Sequence, residues 1–209
     1  IGDGQKIIPR YGKRGFYLST LFKMDRAMDR VLRRSFELGR SFVALEYQRH
    51  RLPLFILWRG LLIHITSHPD HQFLIGPVSI SSNYSHFSRA LIMAYVERHH
   101  YDAYLAGLVK PRNRFKVKQD AEGSQALVQA SATDLKKLDR LIAEVDPNES
   151  AMPVLLKKYL LLNAKIIGFN SDPRFNDALD GLMVLDLSKV PPRTIEDLKK
   201  GMGDLSGQA

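Results

Sequence analysis

Cysteine is absent from the 209 residues, which excludes disulfides, thiolate metal sites and cysteine nucleophiles together. Long apolar runs are missing too. The most apolar stretch, around Pro53–Ser67, is interrupted by Arg59 and His64 and falls short of a membrane span. No HExxH pattern accompanies the seven histidines, so no zinc-protease site is expected, and no metal site of any kind. A GxSxG elbow, a GxxxxGK[ST] phosphate loop and a His-x4-Asp pair are all lacking, which excludes the usual hydrolase, nucleotide-triphosphatase and glycerolipid O-acyltransferase signatures. The chain begins at Ile1 rather than methionine and is read as a processed or trimmed piece of something longer.

What is present is ordinary globular composition, 44% hydrophobic and 25% charged, with a lopsided charge. Residues 1–118 carry 20 Lys and Arg against 8 Asp and Glu, a net +12, whereas residues 119–209 carry 11 against 14, a net −3. A one-sided basic field steers anionic partners: nucleic acid, acidic lipid or a small acidic protein. Arg49, Arg51, Lys110, Arg112, Arg114, Lys116 and Lys118 could meet phosphates, with Tyr47 or Phe115 stacking, but no named nucleic-acid motif matches. No nucleic-acid partner is therefore expected.

Strand and helix signals alternate along the chain, which predicts an α/β fold with a mixed sheet. Strands are expected at Gly15–Met24, Ser35–Leu45, Phe73–Ser81, Lys165–Asn170 and Gly181–Leu187. The Gly76-Pro77 pair marks the third as an edge, bulged or splayed strand. Asp25–Arg34 reads as a short helix or a long turn. Helices are expected over Pro53–Ser67, Ser85–Arg98, Tyr101–Leu108, Asp134–Glu144, Pro153–Asn163 and Thr194–Met202. The weakly periodic segment Lys116–Thr133 reads as an exposed connection. It divides a core over 1–118 from a C-terminal half or sub-lobe over 134–209, with 119–133 as the joint.

The stretch Ser35–Gly60 holds the densest chemistry. Glu37 stands in an apolar run, two residues before Gly39 and three before Arg40. A carboxylate there can accept or relay a proton from an attacking amine, or can form a structural ion pair with Arg40 or Arg34. His64, His68 and His71 read as solvated histidines at a helix end, and His99-His100 as imidazolium suited to another helix C-terminus. Phe55, Trp58, Leu61, Phe73 and Ile75 could line an apolar slot, although such residues are more often core.

The blocks ELGRSFV, EYQRHRLPLFILWRGL, FLIGPVSIS and PVLLKKYLLLNAKIIGFNSDPRFNDALDGLMVLDL, in this order, resemble the hemolysin family of GNAT-fold N-acyltransferases. That family is related to ornithine-lipid and glycine-lipid N-acyltransferases and, through its E-x-x-R block, more distantly to acyl-homoserine-lactone synthases. The resemblance spans most of Gly15–Val190. It implies a GNAT-like mixed sheet with flanking helices, lacking its first elements, plus a C-terminal α/β sub-lobe. It also implies transfer of a long-chain acyl group from an acyl thioester, acyl carrier protein or acyl-CoA, to the amino group of an amino acid in membrane-lipid synthesis. The alternative is a non-catalytic GNAT-like module that holds an acidic carrier protein or membrane for a fused acyltransferase. No bound cofactor is expected, and the location implied is cytoplasmic, with possible contact to the inner membrane surface.

By the same resemblance Glu37 orients or deprotonates the amine and Arg40 holds Glu37 or an acceptor carboxylate. Backbone donors at Leu38, Gly39 and Arg40 polarise the thioester carbonyl, and Arg49, His50 and Arg51 receive the carrier phosphate. The chain departs from the usual acetyl-CoA loop, R/Q-x-x-G-x-G/A. Gln48-Arg49-His50-Arg51-Leu52-Pro53 has no glycine, which leaves side chains to contact the phosphate.

Overall fold

The computed structural model describes residues 1–39, 41, 43–47, 50, 52–116, 135–146, 151–193 and 196. The chain opens with a two-residue strand, β1 (Gly2–Asp3), that turns at once into α1 (Gly4–Tyr11). Asp3 makes the turn possible: its side chain caps the helix by accepting from the Gln5 N–H at 2.9 Å. Gly12, at φ 60°, ends α1 in a conformation that disfavours any side chain. A 3-10 turn over Gly12–Gly15 follows, then α2 (Leu18–Leu21) and β2 (Phe22–Met24). The expected strand Gly15–Met24 is thus mostly a helical turn, and only its last three residues are extended. The cause is tertiary, because the Tyr17 and Leu18 amides are held by the Glu37 carboxylate.

Asp25–Arg34 resolves into a 3-10 turn at Arg26–Met28 and α3 (Asp29–Arg33). Strand β3 covers only Ser35–Glu37, so the expected strand to Leu45 is cut short. After a 3-10 turn at Leu45–Tyr47 comes α4 (Leu52–Thr66), then β4 (Phe73–Ile80) and α5 (His86–His99). The α5 start is capped by Ser85, which accepts from the Ser88 N–H at 3.0 Å. The helix expected at Tyr101–Leu108 is α6 (Ala103–Gly107), and it feeds β5 (Val109–Pro111). In the C-terminal half lie α7 (Leu135–Val145), α8 (Val154–Leu161), β6 (Lys165–Asp172) and β7 (Ala178–Asp186), each near its expected place. The connection at 119–133 and the last helix, apart from Glu196, lie outside the described residues.

The main sheet is mixed and five-stranded, in the order β1-β3-β4-β7-β6, and β2 and β5 form a separate two-stranded ribbon. Among the described residues only β3 and β4 run parallel; the remaining pairs are antiparallel. Strand β7 pairs with β4 along its whole length, from Phe73↔Asp186 to Ile80↔Leu179. Residues from either side of the 119–133 joint therefore share one sheet.

Alternation along the strands sends side chains to two cores. One face of the sheet, with Phe36, Leu74, Val78 and Ile80, packs against α5, α7 and α8 through Leu91, Ile92, Leu138 and Leu156. The other face, with Ile75, Leu182 and Val184, packs against α1 to α3 and the ribbon through Ile8, Phe16, Leu18 and Phe22. Each of these fully buried aliphatic and aromatic side chains contributes about 1.5–3 kcal/mol through the area it removes from water.

Candidate active site

The feature that organises the site is the early end of the β3–β4 pairing. It runs from Ser35↔Phe73 to Glu37↔Ile75, and its last bond is from the Leu38 N–H to the Ile75 carbonyl at 2.7 Å. Two residues beyond Ile75, the next β4 position facing β3 is Pro77, which has no N–H to offer the Leu38 carbonyl. Gly76 completes the break, since a Cβ there would overlap the Leu38 carbonyl oxygen. Gly76-Pro77 thus ends pairing on one side of a strand that is neither an edge of the sheet nor bulged against β7. Past this point no β3–β4 pairing is described, which leaves a gap in the ladder at the C-terminal ends of two parallel strands, where open α/β sheets commonly bind ligands.

Glu37 is the buried carboxylate nearest this gap, only 6% exposed. Its Oε2 accepts from the Tyr17 N–H at 2.9 Å and its Oε1 from the Leu18 N–H at 2.8 Å. Burial pushes its carboxyl up, against the pull of these two amide bonds. Among the described residues no cation pairs with it. Both oxygens are engaged in holding the turn into α2, which gives Glu37 a scaffold role on the face of the sheet covered by α1 to α3.

The other expected site residues divide. The Leu38 N–H is spent on Ile75 and is not available to a substrate carbonyl. Gly39 lies at the gap with open space where a side chain would be, so neither strain nor crowding requires a glycine there. His50 is exposed and its N–H donates to the Tyr47 carbonyl at 3.1 Å. Arg40, Arg49 and Arg51 lie outside the described residues.

The apolar slot is not where the sequence suggested. Ile75 is fully buried, and Phe73, Trp58 and Leu61 pack against the two cores. A cavity of about 440 Å³ is instead lined by Val43, Ala44, Tyr47, Leu52, Pro53, Ile56 and Leu57. It is mostly apolar and is lined by the chain after β3 and the first turns of α4. Helix α4 is apolar apart from Arg59, His64 and Thr66, and Leu52, Ile56, Leu57 and Ile63 remain about half exposed.

Two histidine readings are corrected. His71 is buried, stacked on Phe36 with ring centroids 3.8 Å apart, and its Nε2 lies 3.0 Å from Asp3 Oδ1. His64 and His68 complete a ring cluster around Phe36, at 4.7 and 5.5 Å, rather than a solvated loop. Burial, then the neighbouring His68 and His71, hold the His64 imidazole below its ordinary range. At the end of α5, burial and the Lys165 ammonium lower His100 to about 4, so it is neutral at pH 7 instead of an imidazolium. Among the described residues no group of histidines and carboxylates is placed to hold a metal ion, and no helix is long and apolar enough to cross a membrane.

Sequence reasoning missed one feature of this site. Ser79, on β4 two residues past Pro77, donates through Oγ to Asp180 Oδ1 at 2.6 Å across the β4–β7 pair. A lone Ser and a lone Asp a hundred residues apart leave no local signal. Only the register brings them together.

No curated protein and no solved structure gives a match to the chain. Residues 3–58, which run from β1 through Glu37 and the lining of the apolar cavity into α4, match the family described as acetyltransferase (GNAT) domain. Together with the mixed five-stranded sheet and its flanking helices, that match supports a GNAT-like fold and, in general terms, acyl transfer.

Proposed function

We propose that the chain transfers a long-chain acyl group from an acyl carrier protein thioester to the amino group of an amino acid, in the synthesis of membrane aminolipids. The observation that carries this reading is the end of the β3–β4 ladder at Leu38 and Ile75, together with an apolar cavity lined by the segment that follows β3 and by the start of α4. A thioester carbonyl in the gap would meet backbone N–H groups. From the register, the next N–H of β4 that faces β3 after Pro77 is that of Ser79, and Gly39 falls level with Pro77. A long acyl chain leaving the gap would find Val43, Ala44, Leu52 and Ile56, which suit methylenes and offer little to a short acetyl group.

The donor arm fits the charge distribution. Acyl carrier proteins are acidic, and a net +12 over residues 1–118 favours their approach. Arg49, His50 and Arg51, directly before α4, would receive the phosphopantetheine phosphate, with Arg40 on the acceptor carboxylate. The exposed apolar side of α4 beside this basic run would also suit contact with an anionic membrane surface from the cytoplasmic side. The reaction is direct: the amine attacks the thioester carbon, the C–N bond forms, the C–S bond breaks, and the thiol leaves. No covalent enzyme intermediate is involved.

The test is to incubate the chain with hexadecanoyl acyl carrier protein and a panel of amino acids and to look for N-acyl products by mass spectrometry. N-acyl amino acid is the expected product, and no product from any amine would overturn the reading. The engagement of both Glu37 oxygens favours a second reading, a non-catalytic module that holds an acidic carrier protein for a fused enzyme. Stable retention of the carrier protein without any transfer would select it.

A further inference from the structure

We propose that Ser79, backed by Asp180, takes the proton from the attacking amine and that the adjoining cavity holds the acceptor. The inference rests on the acyl-transfer reading and supplies the proton acceptor that the engaged Glu37 does not. Alternation places Ile75, Pro77 and Ser79 on one face of β4, the face that also carries Glu37. Ser79 therefore stands past the break in the β3–β4 pairing, about 7 Å along the strand from Pro77. Its residue is exposed, while Asp180 behind it is 3% exposed. The hydroxyl proton points to Asp180 at 2.6 Å, so the oxygen lone pairs of Ser79 are left facing outward.

What they face is a cavity of about 250 Å³ lined by Ser79, Ser81, Ser82, Phe175, Asn176 and Ala178. Three hydroxyls and an amide suit a small polar molecule, and Asn176 is held in place by its 2.8 Å bond to Ser82 Oγ. Serine hydroxyls and the Asn176 amide enter the lining of this cavity, whereas mainly aliphatic side chains line the other. Long-chain donor and amino-acid acceptor thus have separate places.

Asp180 is suited to receive a proton. Burial pushes its carboxyl up, the Ser79 bond opposes this, and the Asp172 carboxylate on β6 pushes it further up. Among the described residues Asp172 is the one charged group that acts on it. In the transfer, the acceptor's ammonium gives one proton to Ser79 Oγ, and the neutral amine then bonds to the thioester carbon, its surplus proton leaving to solvent as the C–S bond breaks. The Ser79 proton moves to Asp180 Oδ1 as Oγ takes up the ammonium's. Asp180 then returns a proton, through Ser79 or solvent, to the departing thiolate, which restores both groups.

The experiment uses the full chain, hexadecanoyl acyl carrier protein, and two nucleophiles: glycine, whose ammonium must lose its proton, and hydroxylamine, which is already neutral at pH 7. Thiol release is followed from pH 6 to 9 for the wild type, Asp180→Asn and Ser79→Ala, with urea unfolding as a check on the fold. With glycine, kcat should fall about 100-fold in both variants at unchanged KM for the donor, the lower end of what a positioned base contributes. With hydroxylamine the fall should be much smaller, and the rise of the glycine rate with pH should move upward in Asp180→Asn. Wild-type kcat and pH profile in the folded variants would overturn the relay while leaving acyl transfer standing, as would an equal loss with both nucleophiles. No thiol release by the wild type with either nucleophile would instead overturn acyl transfer itself, and the relay with it.

Discussion

At Glu37 a single side chain sets the geometry of two elements. Its carboxylate closes the first turn of α2 from the middle of the sheet, so Glu37→Ala would orphan the Tyr17 and Leu18 amides together. Each buried donor left without a partner costs about 1–3 kcal/mol. The expected result is a urea midpoint clearly below wild type at neutral pH. The pH dependence has a definite sign. Because the folded carboxyl titrates above its ordinary range, its contribution is fully present at low pH and is lost as pH rises through the folded value. Glu37→Ala should remove that slope. A variant with wild-type stability and an unchanged slope would show that α2 does not depend on this carboxylate. His100 works in the other direction: its neutral form is favoured in the fold, so protonation as pH falls from about 6.5 towards about 4 favours unfolding.

At the scale of elements, the break between β3 and β4 is made by two residues acting on one carbonyl. Pro77 withholds a donor from Leu38, and Gly76 lets the Leu38 oxygen settle against its Cα. Pro77→Ala restores the donor, so the ladder should lengthen and the gap narrow. Acyl transfer should fall at least about tenfold, while stability changes by no more than about 1 kcal/mol, the scale of the proline's effect on the unfolded chain. Kinetics beside urea unfolding would check both halves. Unchanged turnover would mean that the gap is not the thioester site.

Across the whole molecule, the basic field of the first 118 residues and the apolar surface of α4 act on different ranges. Charge guides encounter over about 10 Å at 0.1 M salt, whereas apolar contact acts only on touch. Binding of acidic carrier protein should therefore weaken about tenfold or more from 50 to 300 mM salt, as read by fluorescence anisotropy. Salt-independent binding would remove the electrostatic case for the carrier. The acyl chain's contribution should persist at high salt, since burial of methylenes is not screened.

Much of this molecule is legible in its residues alone. The apolar runs at Phe73–Ile80, Lys165–Asp172 and Ala178–Asp186, the periodic apolar residues of Leu135–Val145 and the cap at Ser85 are local signals with local causes. So is the proline beside a glycine that marks a strand unable to pair fully. By itself the sequence determined the α/β class, the order of most elements, the absence of thiol chemistry and the place where a strand would break. Only the tertiary structure decided what each buried carboxylate is engaged with. Glu37 became a cap because α2 folds back over it, and Gly15–Leu21 became a turn because Glu37 was there to hold it. His71 left solvent because β1 brings Asp3 to it. Ser79 met Asp180 only through the pairing of β4 with β7, a hundred residues away, and no local pattern carries information about strand register.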